Sequence, residues 1–377
     1  MPHALDGLLV VAIEQAVAAP LCTSRLAAAG ARVIKIERAE GDFARNYDKA
    51  ARGESSYFTW INQGKESITL DFKSPRDKSV LEKILKEADV LVQNLSPGAL
   101  ARAGFDTETL QTANPRLITC DISGYGDDPA LADLRAYDLL VQAEAGLIEV
   151  SGGPGELGRI GISICDIGAG MSAHAAILEA LIARSISGKG RVLKISLFDV
   201  AAEWMTVPFI HAKYGDGAPA RSGLHHPSIA PYGAYQTGDG TLTLISIQNE
   251  REWVRLCSEV FDDKDFATDE LFMTNNKRVE NREKLDERIS QILAGMSAKE
   301  YRDKLGAAKI AYGAVNNTDN LLNHRALKTQ TFANSAGELL ELPLSPVAQQ
   351  PSGGQTERKS PGRGEHSDAI RQEFAPN

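Results

Sequence analysis

Asp166 is the residue whose setting in this sequence most clearly suits chemistry. It closes a short apolar run, small residues follow at 168–170, and a helical pattern extends over 171–186. We therefore expect its carboxylate at the N-terminus of a helix, on a backbone free of bulk, where a ligand can approach closely. The same position also suits an ordinary N-cap, because an Asp side chain accepts hydrogen bonds from the free N–H groups of a first helical turn.

The cysteines offer an alternative. The four of them lie far apart and form no CxxC pair, so we expect free thiols and no metal site. Cys165 adjoins Asp166 and is a second candidate nucleophile, although no histidine lies close in sequence to activate it. A cysteine in an apolar run is more commonly a core residue.

Basic residues recur where predicted strands end. Lys35 and Arg38 follow the second strand, Lys73 follows the short run 68–71, and Arg102 lies just beyond a Pro-Gly turn. Each of them alone is best explained as solvated surface. Because ligands of open α/β sheets bind at the carboxyl ends of the strands, the four cations together would suit a ligand with several phosphates.

The elements that must position these groups alternate along the first part of the chain. This alternation predicts a doubly wound α/β domain with a parallel sheet. The first strand-to-helix turn, at 14–20, contains no glycine, so the GxGxxG fingerprint of a dinucleotide cofactor is absent. The predicted strands are 8–13, 33–36, 89–92, 117–123 and 191–198, and the predicted helices are 18–29, 75–88, 135–147 and 171–186.

A second, smaller domain is predicted after a connector at 215–232, which is rich in Gly, Pro, Ser and His. A hairpin around 238–240, helices within 250–306 and a strand at 310–315 indicate an α+β domain at 233–326.

Composition excludes several classes of function. The chain has 377 residues and a formal net charge of −9, which does not favour nucleic acid as a partner. The N-terminus lacks the pattern of a signal peptide, and no continuous apolar run has membrane length. We therefore expect a cytoplasmic protein without a membrane partner.

A series of short motifs spans nearly the whole chain. The motifs are LDG (5–7), AAP (18–20), GARVIKIER (30–38), GD (41–42), SITLDFK (67–73), ADVLVQN (88–94), PGAL (97–100), NPRLI (114–118), YD (137–138) and GEHSD (364–368). Each motif is modest, but in this order they specifically resemble the class III (family III) CoA-transferases, the formyl-CoA transferase/carnitine-CoA transferase (CaiB/BaiF) family, which also includes α-methylacyl-CoA racemases.

The resemblance implies an open-ring subunit in an interlocked homodimer. Its large domain would be Rossmann-like and span 1–214, with 327–377 returning to it, and the small domain would span 233–326. Coenzyme A would be a substrate, and no cofactor is implied.

The resemblance also implies roles for individual residues. Asp166 matches the nucleophile, Gln15 lies on the turn that faces the thioester, and Tyr137 matches a tyrosine near the reacting centre. The positions that match the lining of the CoA site are Arg38, Leu70, Lys73, Asn94, Arg102 and Arg135.

The implied chemistry is covalent. Asp166 would attack an acyl-CoA to form an anhydride, and CoA would then form an aspartyl thioester that an acceptor acid resolves. We expect backbone N–H groups after Asp166 to stabilise the oxyanion, and Gly168 and Gly170 to keep the approach to it open.

Two alternatives stay open. Racemases of this superfamily have a His before the Asp where this chain has Tyr137-Asp138, and tyrosine is a poor base at neutral pH, so transfer is favoured over racemisation. A non-catalytic CoA-binding protein would need neither Asp166 nor the glycines that follow it.

The acyl groups are the least determined part of the function. Oxalate-handling members carry a Gln where this chain has Val17, which argues against oxalate or formyl-CoA. Polar connector residues prompt the hypothesis of small dicarboxylic acids, such as succinyl-CoA with itaconate, mesaconate or citramalate. Arg221 or His225 would hold the distal carboxylate.

Overall fold

The computed structural model describes residues 3–347 and 358–374, which form two compact units. Unit 1 takes in the described parts of Met1–Gly146, Ile160–Thr206 and Lys328–Asn377. Unit 2 takes in Leu147–Arg159 and Val207–Leu327.

The strands and helices are as follows. The strands are β1 (Leu9–Ile13), β2 (Arg32–Glu37), β3 (Glu66–Thr69), β4 (Val90–Gln93), β5 (Ile118–Ser123), β6 (Val192–Ser196), β7 (Tyr232–Gln236), β8 (Leu242–Ser246), β9 (Ala311–Ala314), β10 (Thr329–Ala333) and β11 (Leu339–Pro343). The α-helices are α1 (Ala18–Ala28), α2 (Ser56–Ile61), α3 (Pro75–Glu87), α4 (Ala99–Arg102), α5 (Thr107–Ala113), α6 (Asp138–Glu144), α7 (Leu147–Val150), α8 (Ile164–Ser187), α9 (Leu197–Trp204), α10 (Thr206–Tyr214), α11 (Glu250–Arg255), α12 (Lys264–Thr268), α13 (Asn275–Glu280), α14 (Arg282–Leu293), α15 (Ala298–Ala307), α16 (Thr318–Leu322) and α17 (Ser367–Phe374).

Unit 1 contains a six-stranded sheet in the order β3-β2-β1-β4-β5-β6, with every neighbouring pair parallel. The central strands are apolar runs such as Leu-Val-Val-Ala-Ile in β1, which is buried because helices cover both faces of a parallel sheet. The predicted doubly wound α/β fold is confirmed. The strand order reverses between β1 and β4, so the carboxyl ends of these two strands form the switch point of the sheet.

Helix α8 begins seven residues earlier than the predicted start at 171, so that prediction is wrong at its N-terminus. The glycines that suggested a break are packing positions inside the helix. A Cβ atom on Gly168 would lie 2.3 Å from the indole of Trp204, and one on Gly170 would lie 2.5 Å from the carbonyl oxygen of Ala18. Glycine is needed there because α8 touches α9 and α1 closely.

Among the described residues, α8 is the one helix long and apolar enough to cross a membrane by length and composition. It packs against α1, α9, β5 and β6, and its buried Arg184 donates to Asp89 at 2.9 Å. These contacts make it the central helix of unit 1.

Helix α6 is shorter than the predicted span 135–147 and begins at Asp138, so Arg135 and Tyr137 lie in the loop that precedes it. The C-terminal residues of unit 1 form the antiparallel hairpin β10–β11 and helix α17, which packs on α3 and β3. Arg371 of this helix donates to Asp77 at 2.7 Å.

Unit 2 is an α+β unit, as the sequence predicted for the smaller domain. Its antiparallel sheet has the order β7-β8-β9, and the hairpin β7–β8 turns at the predicted Gly-Asp-Gly. Its core is aromatic, with Trp253 and Phe266 in edge contact at 5.0 Å and Phe261 stacked beside Tyr301.

Candidate active site

A cleft of about 780 Å³ opens at the carboxyl ends of the parallel strands in unit 1. The turn after β1 and the loop after β4 form one wall, so the cleft lies at the switch point, where ligands of doubly wound sheets bind. The loop after β5 and the first turn of α8 complete it. Of the residues predicted for the site, it brings together Gln15, Asn94, Arg102, Arg135, Tyr137 and Asp166.

The remaining three predicted residues lie in a second cleft of about 530 Å³, between the ends of β1, β2 and β3. Arg38, Leu70 and Lys73 line it, and they do not line the Asp166 cleft. Gln15 and Leu95 line both clefts, so the two adjoin at the switch point.

Asp166 occupies the third position of α8 and is half-buried. The interpretation of this residue as an N-cap is wrong, because Ser163 occupies the N-cap position and Asp166 lies inside the first turn. Burial raises the pKa of the Asp166 carboxyl to about 7, and the charge of Asp138 adds to the rise. At neutral pH this group is therefore a mixture of carboxylate and acid, in contrast to an ordinary aspartate.

Asp138 caps α8 from a distance in sequence, and sequence reasoning missed it. Its Oδ1 accepts hydrogen bonds from the backbone N–H groups of Cys165 at 2.7 Å and Asp166 at 3.1 Å. Its Oδ2 accepts a bond from Gln142 Nε2 at 2.7 Å. The signal available in the sequence was the pair Asp138 and Gln142, because residues four positions apart lie on one face of a helix and can contact each other. Asp138 thus fixes the backbone of Asp166 and also raises the pKa of its carboxyl.

Two expectations about the surroundings of Asp166 are wrong. The N–H of Ile167 donates to Ser163 O at 2.9 Å, and the amides that follow lie inside α8, so they are bonded within the helix and do not form an oxyanion site. Gly168 and Gly170 face α9 and α1, so they permit helix packing and do not open the approach to a ligand.

The Cys165 alternative is also unfavourable. Its side chain is fully buried, and burial raises the pKa of the thiol to about 12. Because the thiolate is the reactive form, a thiol with such a pKa is a poor nucleophile at neutral pH.

Asn94 joins the two strand ends at the switch point. Its Oδ1 accepts a hydrogen bond from the N–H of Gln15 at 2.9 Å, and its Nδ2 donates to the carbonyl of Gln15 at 2.8 Å. Asn94 therefore holds the backbone of Gln15 at the mouth of the cleft, whatever further contact it makes with a ligand.

The predicted cations differ in availability. Arg38 donates to Gly41 O at 3.2 Å and lies 3.9 Å from Glu40 with both side chains well exposed, which is a weak pairing. Arg102 donates to the Pro97 carbonyl. For Arg135 and Lys73, no carboxylate of residues 3–347 or 358–374 lies within ion-pair distance. The prediction that Lys35 faces a ligand is wrong, because its side chain is fully buried.

The residues that line the Asp166 cleft include no histidine. His174 is on α8, and burial lowers its pKa, which is consistent with a packing role. The described part of the cleft therefore offers no imidazole base for α-proton abstraction.

The sequence as a whole matches the family described as CoA-transferase family III over residues 5–367. The chain belongs to this family. An acetyl-CoA:oxalate CoA-transferase from Acetobacter aceti is 33% identical over 376 residues, which cover 98% of this chain and 95% of that protein. A succinate–glutarate CoA-transferase from Agrobacterium fabrum is 30% identical and covers 97% of this chain and 94% of its own length.

A solved structure of a CAIB/BAIF family protein from Brucella suis has a similar fold, with a TM-score of 0.83 at 29% identity. The match covers 99% of this chain and 100% of that one. The protein is thus an enzyme of the CoA-transferase class, and acyl-CoA and carboxylic acids fit as its substrates.

Proposed function

We propose that this enzyme moves CoA from an acyl-CoA thioester to a free carboxylic acid through covalent intermediates on Asp166. The observation that carries the proposal is the position of Asp166: a half-buried carboxyl in the switch-point cleft, on a backbone held by Asp138. Membership of the family supports the reaction class, and the position of Asp166 supports its role as the nucleophile.

The reaction begins with attack of the Asp166 carboxylate on the thioester carbonyl. The C–S bond breaks, the electron pair leaves with the CoA thiolate, and an acyl-aspartyl anhydride remains. The thiolate then attacks the aspartyl carbonyl of this anhydride, and the donor acid leaves as a carboxylate. Asp166 now carries CoA as a thioester.

The acceptor carboxylate attacks this aspartyl-CoA thioester and expels the thiolate, which gives a second anhydride. Attack of the thiolate on the acceptor acyl carbon forms the product acyl-CoA and releases the Asp166 carboxylate. In each step one bond to an acyl carbon forms and one breaks, and no net proton is consumed. The exchange therefore needs no ATP.

Coenzyme A would span both clefts. The exposed cations Arg38 and Lys73 in the second cleft suit its phosphates, and the thioester would reach Asp166 past Gln15, which lines both clefts. Arg102 and Arg135 add positive charge to the cleft that contains Asp166.

Small dicarboxylic acids, such as succinyl-CoA with itaconate, mesaconate or citramalate, are our proposal for the acyl pair. Relatives act on oxalate and on succinate with glutarate, all of which are dicarboxylates. Arg221, a residue suggested for the distal carboxylate, donates to Glu149 Oε1 at 2.8 Å and to the carbonyl of Gly153. Because these donors are occupied, Arg135 in the Asp166 cleft is the better candidate.

An interlocked homodimer remains part of the proposal. Helix α10 supports it, because four apolar side chains on this one helix are about half or more exposed: Val207, Phe209, Ile210 and Tyr214. A contiguous apolar surface of this kind is typical of a protein interface. Light scattering on the purified chain should give the mass of a dimer, and a monomer would contradict this part of the proposal.

Trapping tests the nucleophile. Protein incubated with acyl-CoA and then treated with borohydride or hydroxylamine should carry a modification at Asp166, located by peptide mass spectrometry. Asp166→Asn should show no modification and no exchange. Full exchange by this variant, or modification at another residue, would overturn the assignment. Deuterium entering the α-position from solvent would instead indicate racemase chemistry.

A further inference from the structure

The turn between β1 and α1 contains an unusual backbone conformation. Ala16 has φ = +62°, in the left-handed region that an L-residue other than glycine adopts rarely and with strain. Gln15 and Ala16 both line the Asp166 cleft. Strained residues of this type persist only where their surroundings hold them in place.

Asp42 holds this turn. Its Oδ1 accepts hydrogen bonds from the N–H of Ala16 at 3.1 Å and from the N–H of Ala44 at 2.9 Å. Its Oδ2 accepts a bond from Lys35 Nζ at 2.9 Å. One carboxylate therefore links the cleft turn to the chain that follows β2.

A buried ion network orients Asp42. The side chains of Glu14, Lys35, Asp42 and Lys65 are all fully inaccessible, and their charges balance. Glu14 accepts bonds from Lys35 at 3.3 Å, from Lys65 at 2.6 Å and, through its other oxygen, from the Thr23 hydroxyl at 2.6 Å.

Stability alone does not explain such a network. Buried ion groups are commonly no more stabilising than apolar residues of similar volume, because desolvation offsets their attraction. What this network does in the structure is fix the two residues on either side of Gln15, since Glu14 belongs to the network and Ala16 is bonded to it.

The turn is also joined to the helix that carries Asp166. Helix α1 starts two residues after Ala16, and the carbonyl of Ala18 lies against Gly170 of α8 so closely that no Cβ would fit. A change in the turn therefore alters the position of Gln15 relative to Asp166.

We propose that Asp42, oriented by Lys35, is a positioning residue of the transfer reaction: it keeps Ala16 left-handed and so aims the Gln15–Ala16 turn into the Asp166 cleft. This inference rests on the proposed CoA transfer at Asp166. Asp42 borders the second cleft, but its side chain is fully inaccessible, so it acts on the transfer through the turn that it holds.

Two replacements of Asp42 test the inference. Asp42→Asn keeps an acceptor for the Ala16 N–H but removes the charge that faces Lys35. Asp42→Glu keeps that charge, and with it the charge balance of the network, but moves the acceptor by one methylene. It provides the second test if Asp42→Asn folds poorly. Both should lower kcat at least tenfold and leave the KM for acyl-CoA within about twofold, because Arg38 and Lys73 are untouched.

Relief of the backbone strain should rescue activity. Glycine adopts the left-handed region freely, so Ala16→Gly in the Asp42→Asn background should recover about fivefold in kcat, the factor that corresponds to roughly 1 kcal/mol of strain. Lys309→Gly is the matched control, since Lys309 is an exposed left-handed residue in unit 2. It should recover nothing in kcat.

Hydrogen exchange gives a readout that does not depend on activity. The amides of residues 14–18 should lose protection in both Asp42 variants, and melting temperatures measured in parallel should lie well above the assay temperature. If the wild type is active and the Asp42 variants keep the wild-type kcat, this inference alone is overturned. The same holds if Lys309→Gly restores kcat as well as Ala16→Gly does. A wild type without any exchange overturns the proposed function as well.

Discussion

Replacing Asp138 with asparagine should shift the acidic limb of the pH profile of kcat/KM for acyl-CoA to lower pH. In the wild type, burial first and the charge of Asp138 second raise the pKa of Asp166 to about 7. Asparagine keeps an oxygen that can accept from the N–H groups of Cys165 and Asp166 but carries no charge. The bonds from Cys165 and Asp166 are therefore retained, the bond from Gln142 Nε2 is lost, and one cause of the raised pKa is removed.

The size of the effect follows from the fraction of Asp166 that is ionised. With a pKa of about 7, roughly one hundredth is carboxylate at pH 5, a tenth at pH 6 and nine tenths at pH 8. Wild-type kcat/KM should thus rise about tenfold between pH 6 and pH 8. Since burial is the larger cause, the Asp166 pKa in the variant should remain above its ordinary value of 3.8. The first unit by which it falls should raise the relative rate at pH 5 about tenfold, and a second unit about fivefold.

The assay is the initial rate of CoA exchange at subsaturating acyl-CoA from pH 5 to pH 9, with each profile scaled to its own plateau. Asp128→Asn is the matched control, because Asp128 is an exposed carboxylate that caps a neighbouring 3₁₀ turn and does not contact α8. Its profile should overlay that of the wild type. A limb in Asp138→Asn that stays in place or moves to higher pH would show that Asp138 does not act on the charge of Asp166.

Three further outcomes are expected. Asp166→Asn should abolish exchange yet melt at a higher temperature than the wild type at pH 7.5, and the difference should vanish near pH 4, because a carboxyl with a raised pKa lowers stability as pH rises from about 4 through about 7. Gly170→Ala should destabilise unit 1 by about 1–3 kcal/mol, since its Cβ would meet the Ala18 carbonyl. Gly161→Ala, which meets nothing within 4 Å, should melt like the wild type. Arg38→Gln should raise the KM for acyl-CoA about tenfold at unchanged kcat, and the KM for an acyl-pantetheine without the nucleotide phosphates should not change.

The parallel sheet could be predicted because its signals are local. Apolar runs such as β1 and β4 alternate with helical periods, and this alternation is enough to indicate a doubly wound fold. The start of α8 could not be found in this way. Its small residues Gly168 and Gly170 resemble a break until Trp204 and Ala18, which are distant in sequence, are brought against them.

The sequence predicted which of the candidate residues lie near one another better than it predicted their local geometry. Six of the nine residues expected from the family resemblance, Asp166 among them, line one cleft, and the other three line its neighbour. The capping by Asp138 was missed because its partners lie 27 and 28 residues further along the chain. Lys35 was misjudged because a lysine at a strand end gives no sign in the sequence of two buried carboxylates around it.

The contact of Gly170 with the carbonyl of Ala18 has a consequence for engineering. With no space for a single added carbon, the two helices beside the nucleophile leave no room to reshape the pocket from that side. New acyl preferences should therefore be sought by randomising the loop at residues 131–137, where side chains such as Leu134 and Tyr137 are more than half exposed. Libraries directed at 166–170 should yield mainly inactive clones.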